Sequence, residues 1–238
     1  MNDKNTKTLK DTYGVAYNNY KKGDLKAAEI LCYKILNIDS SFIESKILLA
    51  NISAKNRNFK ETKKLLVEAN EQEPKNISVL NNLGTVSREL GEIKNAIDYF
   101  KKAIEIDPNN VEALSNLGYA LSKSGKLTDA MSVLRRTILL RPNDSHLYNN
   151  LGIVEQEIGL IETANQTYEE ALRIDPQCKK AERNLMLNTL NLPDQESERL
   201  FSIRRRYGKR YDRDNLVKDK FSNRNKDSNR KLRIGYLS

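Results

Sequence analysis

Four asparagines, Asn82, Asn116, Asn150 and Asn184, stand 34 residues apart in this 238-residue chain. The first three directly precede a Leu-Gly pair and the fourth lies in "ERNLML". A carboxamide carries a donor and an acceptor together, matching the two polar groups of a peptide unit. A row of such groups can hold an extended polypeptide by its backbone with little regard to its side chains. Asparagine is a poor helix-interior residue because its side chain competes for backbone hydrogen bonds, so four placements in register need a reason. Two reasons are open: contact with a bound partner, or hydrogen bonding to a neighbouring loop. At the two upstream positions in the same register stand Leu48 and Gly14, where the row stops.

Tyr13, Tyr17 and Tyr20, at i, i+4 and i+7, form a second stripe on one helix face. Such rings either pad an end cap or inter-repeat core, or form an aromatic patch that grips a partner's side chains. Little else has the makings of chemistry. His146 is the single histidine and reads as a solvated rim residue. Cys32 and Cys178 are too few and too far apart for a disulfide framework or a metal site, which suits a reducing cytoplasm. With no Gly-rich phosphate loop either, the chain is expected to have no catalytic residue, no metal and no cofactor of its own.

The net charge of +9 is unevenly placed. Residues 1–200 hold 28 Lys and Arg against 28 Asp and Glu, whereas residues 201–238 hold 13 against 4. A basic tail reads either as a solvated linker or as an electrostatic contact for nucleic acid or nucleotide phosphates, with Tyr207 and Tyr211 available for stacking. The linker is the better reading, and nucleic acid is not an expected partner. The polar start "MNDKNTKTLK" and the lack of any long apolar run point to a cytoplasmic protein with no membrane partner.

The asparagines are placed by a 34-residue period, clearest in Ile77–Asn110, Val111–Asp144 and Ser145–Cys178 and weaker in Ile43–Asn76 and Leu9–Phe42. Leu80 with Leu83, Leu114 with Leu117 and Tyr148 with Leu151 give a first helix an apolar stripe. Gly84, Gly118 and Gly152 omit a side chain where a second helix must approach. Gly91, Gly125 and Gly159 suit a turn with positive φ. Ala96, Ala130 and Ala164 sit small on the second helix, with Phe100, Leu134 and Tyr168 filling the gap to the neighbouring repeat. Pro74, Pro108, Pro142 and Pro176 end it. Repeats one and two depart from this pattern: Ala16 and Ala50 replace the crossing glycine, Ser40 the first proline and Arg57 a turn glycine.

These offsets resemble the tetratricopeptide repeat. The resemblance implies an all-α fold, a right-handed superhelix of stacked helix pairs whose inner surface is lined mainly by each first helix and binds extended segments of other proteins. The organisation expected is a disordered N-terminus at 1–8, then repeats at 9–42, 43–76, 77–110, 111–144 and 145–178. Capping helices follow at 179–211, a basic linker at 212–231, and a short unpaired strand at 232–238.

A narrower resemblance runs through the C-terminal part. The "NLG" ladder, the Asn184–Leu192 segment, "ERLFSIRRRYGKRY" and "RKLRIGYLS" follow one another in the order found in protein O-linked N-acetylglucosamine transferases, glycosyltransferase family 41. In that family the ladder holds substrate polypeptide. The likeness implies that Asn82, Asn116, Asn150 and Asn184 contact a substrate backbone. It further implies that "KLRIGYLS" opens a catalytic domain, with UDP-N-acetylglucosamine as donor, lying beyond Ser238. The alternatives are a free-standing protein-interaction scaffold and, less favoured, a nucleic-acid binder. The oligomeric state is open.

Overall fold

The computed structural model describes residues 3–190 and Arg205. It divides into two units, residues 1–185 and 186–238. The first is an α-solenoid, and no strand occurs among the described residues. Five helix pairs follow in order: α1 (Asp3–Lys22) with α2 (Leu25–Ile38), α3 (Ile43–Lys55) with α4 (Phe59–Gln72), α5 (Ile77–Glu89) with α6 (Ile93–Ile106), α7 (Val111–Lys123) with α8 (Leu127–Leu140), and α9 (Ser145–Ile158) with α10 (Ile161–Ile174). Helix α11 (Lys179–Leu190) starts a sixth. Residues 3–8, expected to be disordered, are helical here: α1 continues upstream of Leu9, which is buried with Ile35 and Phe42. Most of the expected second capping helix, the basic linker and the strand at 232–238 lie outside the described residues.

Local sequence sets these boundaries. Asn76, Asn110 and Asp144 cap the first helix of repeats three to five, each side chain accepting a backbone N–H from the first turn. The first helices of repeats one, three, four and five turn through Gly23, Gly91, Gly125 and Gly159, all at positive φ. Helices α4, α6, α8 and α10 stop two residues ahead of Pro74, Pro108, Pro142 and Pro176, which cannot continue them. In repeat two the turn keeps its geometry without glycine: Arg57 has φ 59°. An L-residue in this region costs about 1–2 kcal/mol, partly offset because glycine is freer in the unfolded chain. Arg57→Gly is therefore expected to stabilise the fold by about 0.5–1 kcal/mol, read as a higher urea midpoint by circular dichroism; an unchanged or lower midpoint would contradict the strain.

The core lies between the helices of each pair and against the first helix of the next. One cluster joins Ala16, Ala28, Cys32, Leu48, Leu66 and Leu83, and another joins Ala96, Phe100, Leu117, Leu134 and Leu151. A Cβ on Gly84, Gly118 or Gly152 would stand 2.4, 2.6 or 2.5 Å from Phe100, Leu134 or Tyr168, so these glycines are required by the crossing. At the alanine departures, Ala16 stands in register with Cys32, where Gly84 has Phe100 and Gly152 has Tyr168, while Ala50 stands with Leu66, the residue type that Gly118 meets in Leu134. In repeat one, volume added on one helix is removed from the other, which keeps the interior filled.

Candidate functional site

The first helices of successive repeats lie side by side, α1 with α3, α5 with α7 and α7 with α9. They form a wall on which residues in one register recur. Asn82, Asn116, Asn150 and Asn184 are all half-buried on it. Among the described residues, Asn82 and Asn116 have no hydrogen-bond partner, so their carboxamides are available. The other two differ. Asn184 Nδ2 donates to Asn149 Oδ1 at 3.1 Å, and Asn149 Nδ2 makes a long 3.5 Å contact with Asn150 Oδ1. The ladder thus contains two uncommitted amides and two tied into a link between α9 and α11.

The asparagine preceding the ladder has a separate role that the sequence reading did not separate out. Asn81 and Asn149 are buried, 3% and 2% exposed. Asn81 Nδ2 donates at 3.4 Å to Asn110 Oδ1, which also accepts the Ala113 backbone N–H at 3.0 Å and so caps α7. The signal was present in the doublets "NNLG" at 81–84 and 149–152. One member faces the next repeat and the other faces outward.

Tyr13, Tyr17 and Tyr20 come together as expected from their spacing. Tyr13 and Tyr17 stack at 6.2 Å, and Tyr17 and Tyr20 at 6.4 Å. Tyr13 also lies 5.8 Å from Phe42 and is packing material, its phenol pKa raised first by burial and then by Glu44. Tyr17 is 40% exposed. Its counterpart three repeats on, Tyr119, was missed in the sequence, although the 34-residue register points to it. Arg88 and Lys123 lie 5.1 and 5.5 Å from the Tyr119 ring centre, a cation–π arrangement.

No nucleophile or acid–base pair emerges on this wall. Cys32 and Cys178 are buried, and burial pushes the Cys32 thiol up to about 11, with Ser45 acting the other way. His146 is exposed at the start of α9, its backbone N–H donating to Asp144. Glu155 is a buried carboxylate, but it accepts from Arg135 at 3.3 Å and Thr167 at 2.7 Å and thereby fastens α9 to α8 and α10. Among the described residues no group of three His, Cys, Asp or Glu could hold a metal, and no helix is long and apolar enough to cross a membrane.

Tetratricopeptide-repeat family models match residues 84–125, 113–148 and 145–178. Residues 84–178 are tetratricopeptide repeats. A comparison with curated proteins returns no match. Among solved structures, YrrB, described as "a TPR protein with an unusual peptide-binding site", is similar at 24% identity and TM-score 0.62, over 75% of this chain and 96% of its own. MamA is similar at 20% identity and TM-score 0.63, over 74% and 96%. PilF of Pseudomonas aeruginosa is similar at 16% identity and TM-score 0.74, over 89% and 94%. At these identities the likeness is one of fold. The family matches end at residue 178, so the tetratricopeptide assignment concerns the repeats, and none of these matches supports the glycosyltransferase resemblance expected of the C-terminal segment.

Proposed function

We propose that the tetratricopeptide wall captures extended segments of other proteins by their backbone, with Asn82, Asn116, Asn150 and Asn184 as the contacts. The observation that carries this reading is the pair of half-buried, unpartnered carboxamides at Asn82 and Asn116 in the middle of the wall, each in a helix where asparagine is otherwise a poor choice. The tetratricopeptide repeats themselves support a protein-binding scaffold. The finer reading makes this wall the substrate-recognition part of an O-linked N-acetylglucosamine transferase-like protein, whose catalytic domain would supply UDP-N-acetylglucosamine chemistry. It rests on the "NLG" ladder and on the order of the C-terminal segments. An in-frame catalytic domain downstream of Ser238 in the gene would support it, and an immediate stop codon would favour the free-standing scaffold.

Backbone capture makes an unusual demand on the ligand. Peptides selected from a random library on the full chain are expected to tolerate single alanine substitutions while losing binding when alternate backbone amides are N-methylated, since methylation removes the donor that an asparagine oxygen accepts. A peptide indifferent to N-methylation and sensitive to its side chains would contradict the reading.

A further inference from the structure

At the N-terminal end of the wall the ladder position is occupied by Gly14, in the interior of α1. An interior helical glycine costs about 1 kcal/mol relative to alanine. Gly84, Gly118 and Gly152 recover that cost through close packing, and Gly23, Gly91, Gly125 and Gly159 through positive φ. Gly14 does neither: nothing lies within 4 Å of the place its Cβ would take, and its φ is not positive. No contact within the described chain requires it. What it provides is a stretch of bare helix surface beside the exposed ring of Tyr17, one turn along.

The charges around this step also differ from the rest of the wall. Lys21 Nζ lies 4.7 Å from the Tyr17 ring centre, and Lys55 Nζ, from α3, lies 3.9 Å from that of Tyr20. Neither lysine pairs with a carboxylate among the described residues. Around Tyr119, by contrast, Arg88 is paired with Glu89 at 3.0 Å and Lys123 with Glu157 at 3.7 Å. The register Lys21, Lys55, Glu89, Lys123, Glu157 therefore starts with two uncompensated cations and continues with alternating sign. Glu44, the acidic group that acts on Tyr13, stands at the opposite end of α3 from Lys55. Complementing the helix dipole explains a lysine in a last turn, but not the bare glycine or the exposed, cation-flanked ring.

We infer that Gly14, Tyr17, Tyr20, Lys21 and Lys55 form a subsite for an acidic segment of a bound polypeptide, in which carboxylates meet the two lysines and an apolar side chain lies across Gly14 against Tyr17. This rests on the proposed function of the wall and narrows its ligand. The occupant follows from charge complementarity: an unpaired cation pair attracts carboxylates, and the exposed part of Tyr17 takes aliphatic or aromatic neighbours.

The test uses the full chain and two fluorescein-labelled dodecapeptides, one repeating Glu-Leu-Asp-Ser and one with Gln and Asn in place of Glu and Asp, followed by anisotropy. The acidic peptide is expected to bind at least about tenfold more tightly at low ionic strength, a preference that shrinks as salt screens the charges. K21A/K55A is expected to bring its affinity down to that of the neutral peptide. Gly14→Leu, which covers the bare step with a good helix former, is expected to weaken the acidic peptide while the thermal midpoint holds or rises. N82A/N116A is expected to weaken both peptides alike. Equal binding of the two peptides, binding of neither, or a preference that survives K21A/K55A overturns the inference; if N82A/N116A still weakens both peptides, the ladder reading stands without it. A preference abolished by K21A/K55A, with both affinities unchanged in N82A/N116A, upholds the subsite and overturns the ladder.

Discussion

Gly84→Ala is expected to destabilise the solenoid by about 2 kcal/mol, although alanine is the better helix former by about 1 kcal/mol. The added methyl would stand 2.4–2.7 Å from three carbons of the Phe100 ring, and that ring is fully buried and cannot swing aside. Repeat one shows how the chain accommodates a methyl at this crossing, since Ala16 stands in register with the smaller Cys32. Phe100→Leu alone should also lower stability by leaving unfilled space. The double variant Gly84→Ala with Phe100→Leu reproduces the Ala50–Leu66 pair and should be more stable than the sum of the single changes by about 1 kcal/mol or more. Urea midpoints followed by far-ultraviolet circular dichroism check this, and strict additivity would contradict the volume exchange.

Replacing Asn82 and Asn116 together with alanine is expected to weaken a selected peptide ligand about thirtyfold while leaving the fold intact. Each carboxamide can give and receive one hydrogen bond to the peptide backbone, and such bonds contribute about 0.5–1.5 kcal/mol each. A combined loss of about 2 kcal/mol corresponds to that factor in Kd. The fold should survive because neither side chain has a hydrogen-bond partner among the described residues, and alanine improves helix propensity. Asn81 is the internal comparison. It is adjacent in sequence but buried and bonded to Asn110, so its replacement should be felt in stability rather than in direct contact with a ligand. An affinity unchanged in the Asn82 and Asn116 double variant would contradict backbone capture.

Much of the fold was legible because its steric requirements repeat. In repeats three to five a glycine at the crossing, a second glycine at the turn and a proline after the second helix are separate solutions to separate local problems, and the structure places all three where the spacing put them. Arg57 shows that the requirement outlasts the residue: the left-handed turn is kept at φ 59° without glycine. Taken one position at a time, Ala16 looked like a departure; read with Cys32, 16 residues further on, it is half of a compensated pair. The candidate site was legible as a register but not as a set of roles. Neighbouring helix positions point about 100° apart, and only the packed neighbours decide which of Asn81 and Asn82 is bonded inward. The same holds for the tyrosines, where identical spacing yields a packed Tyr13 and an exposed Tyr17. Gly14 read in the sequence only as the place where the ladder stops, because a glycine in a glycine-punctuated repeat attracts no further notice until its empty surroundings are seen.

The central claim, that the outward asparagines of the wall hold a ligand's backbone, is tested most directly by following side-chain amide signals of asparagine-labelled protein during titration with a selected peptide. The Asn82 and Asn116 amides are expected to shift strongly and saturably, while those of Asn81 stay nearly fixed. Saturable binding with the Asn82 and Asn116 signals unmoved would contradict the account.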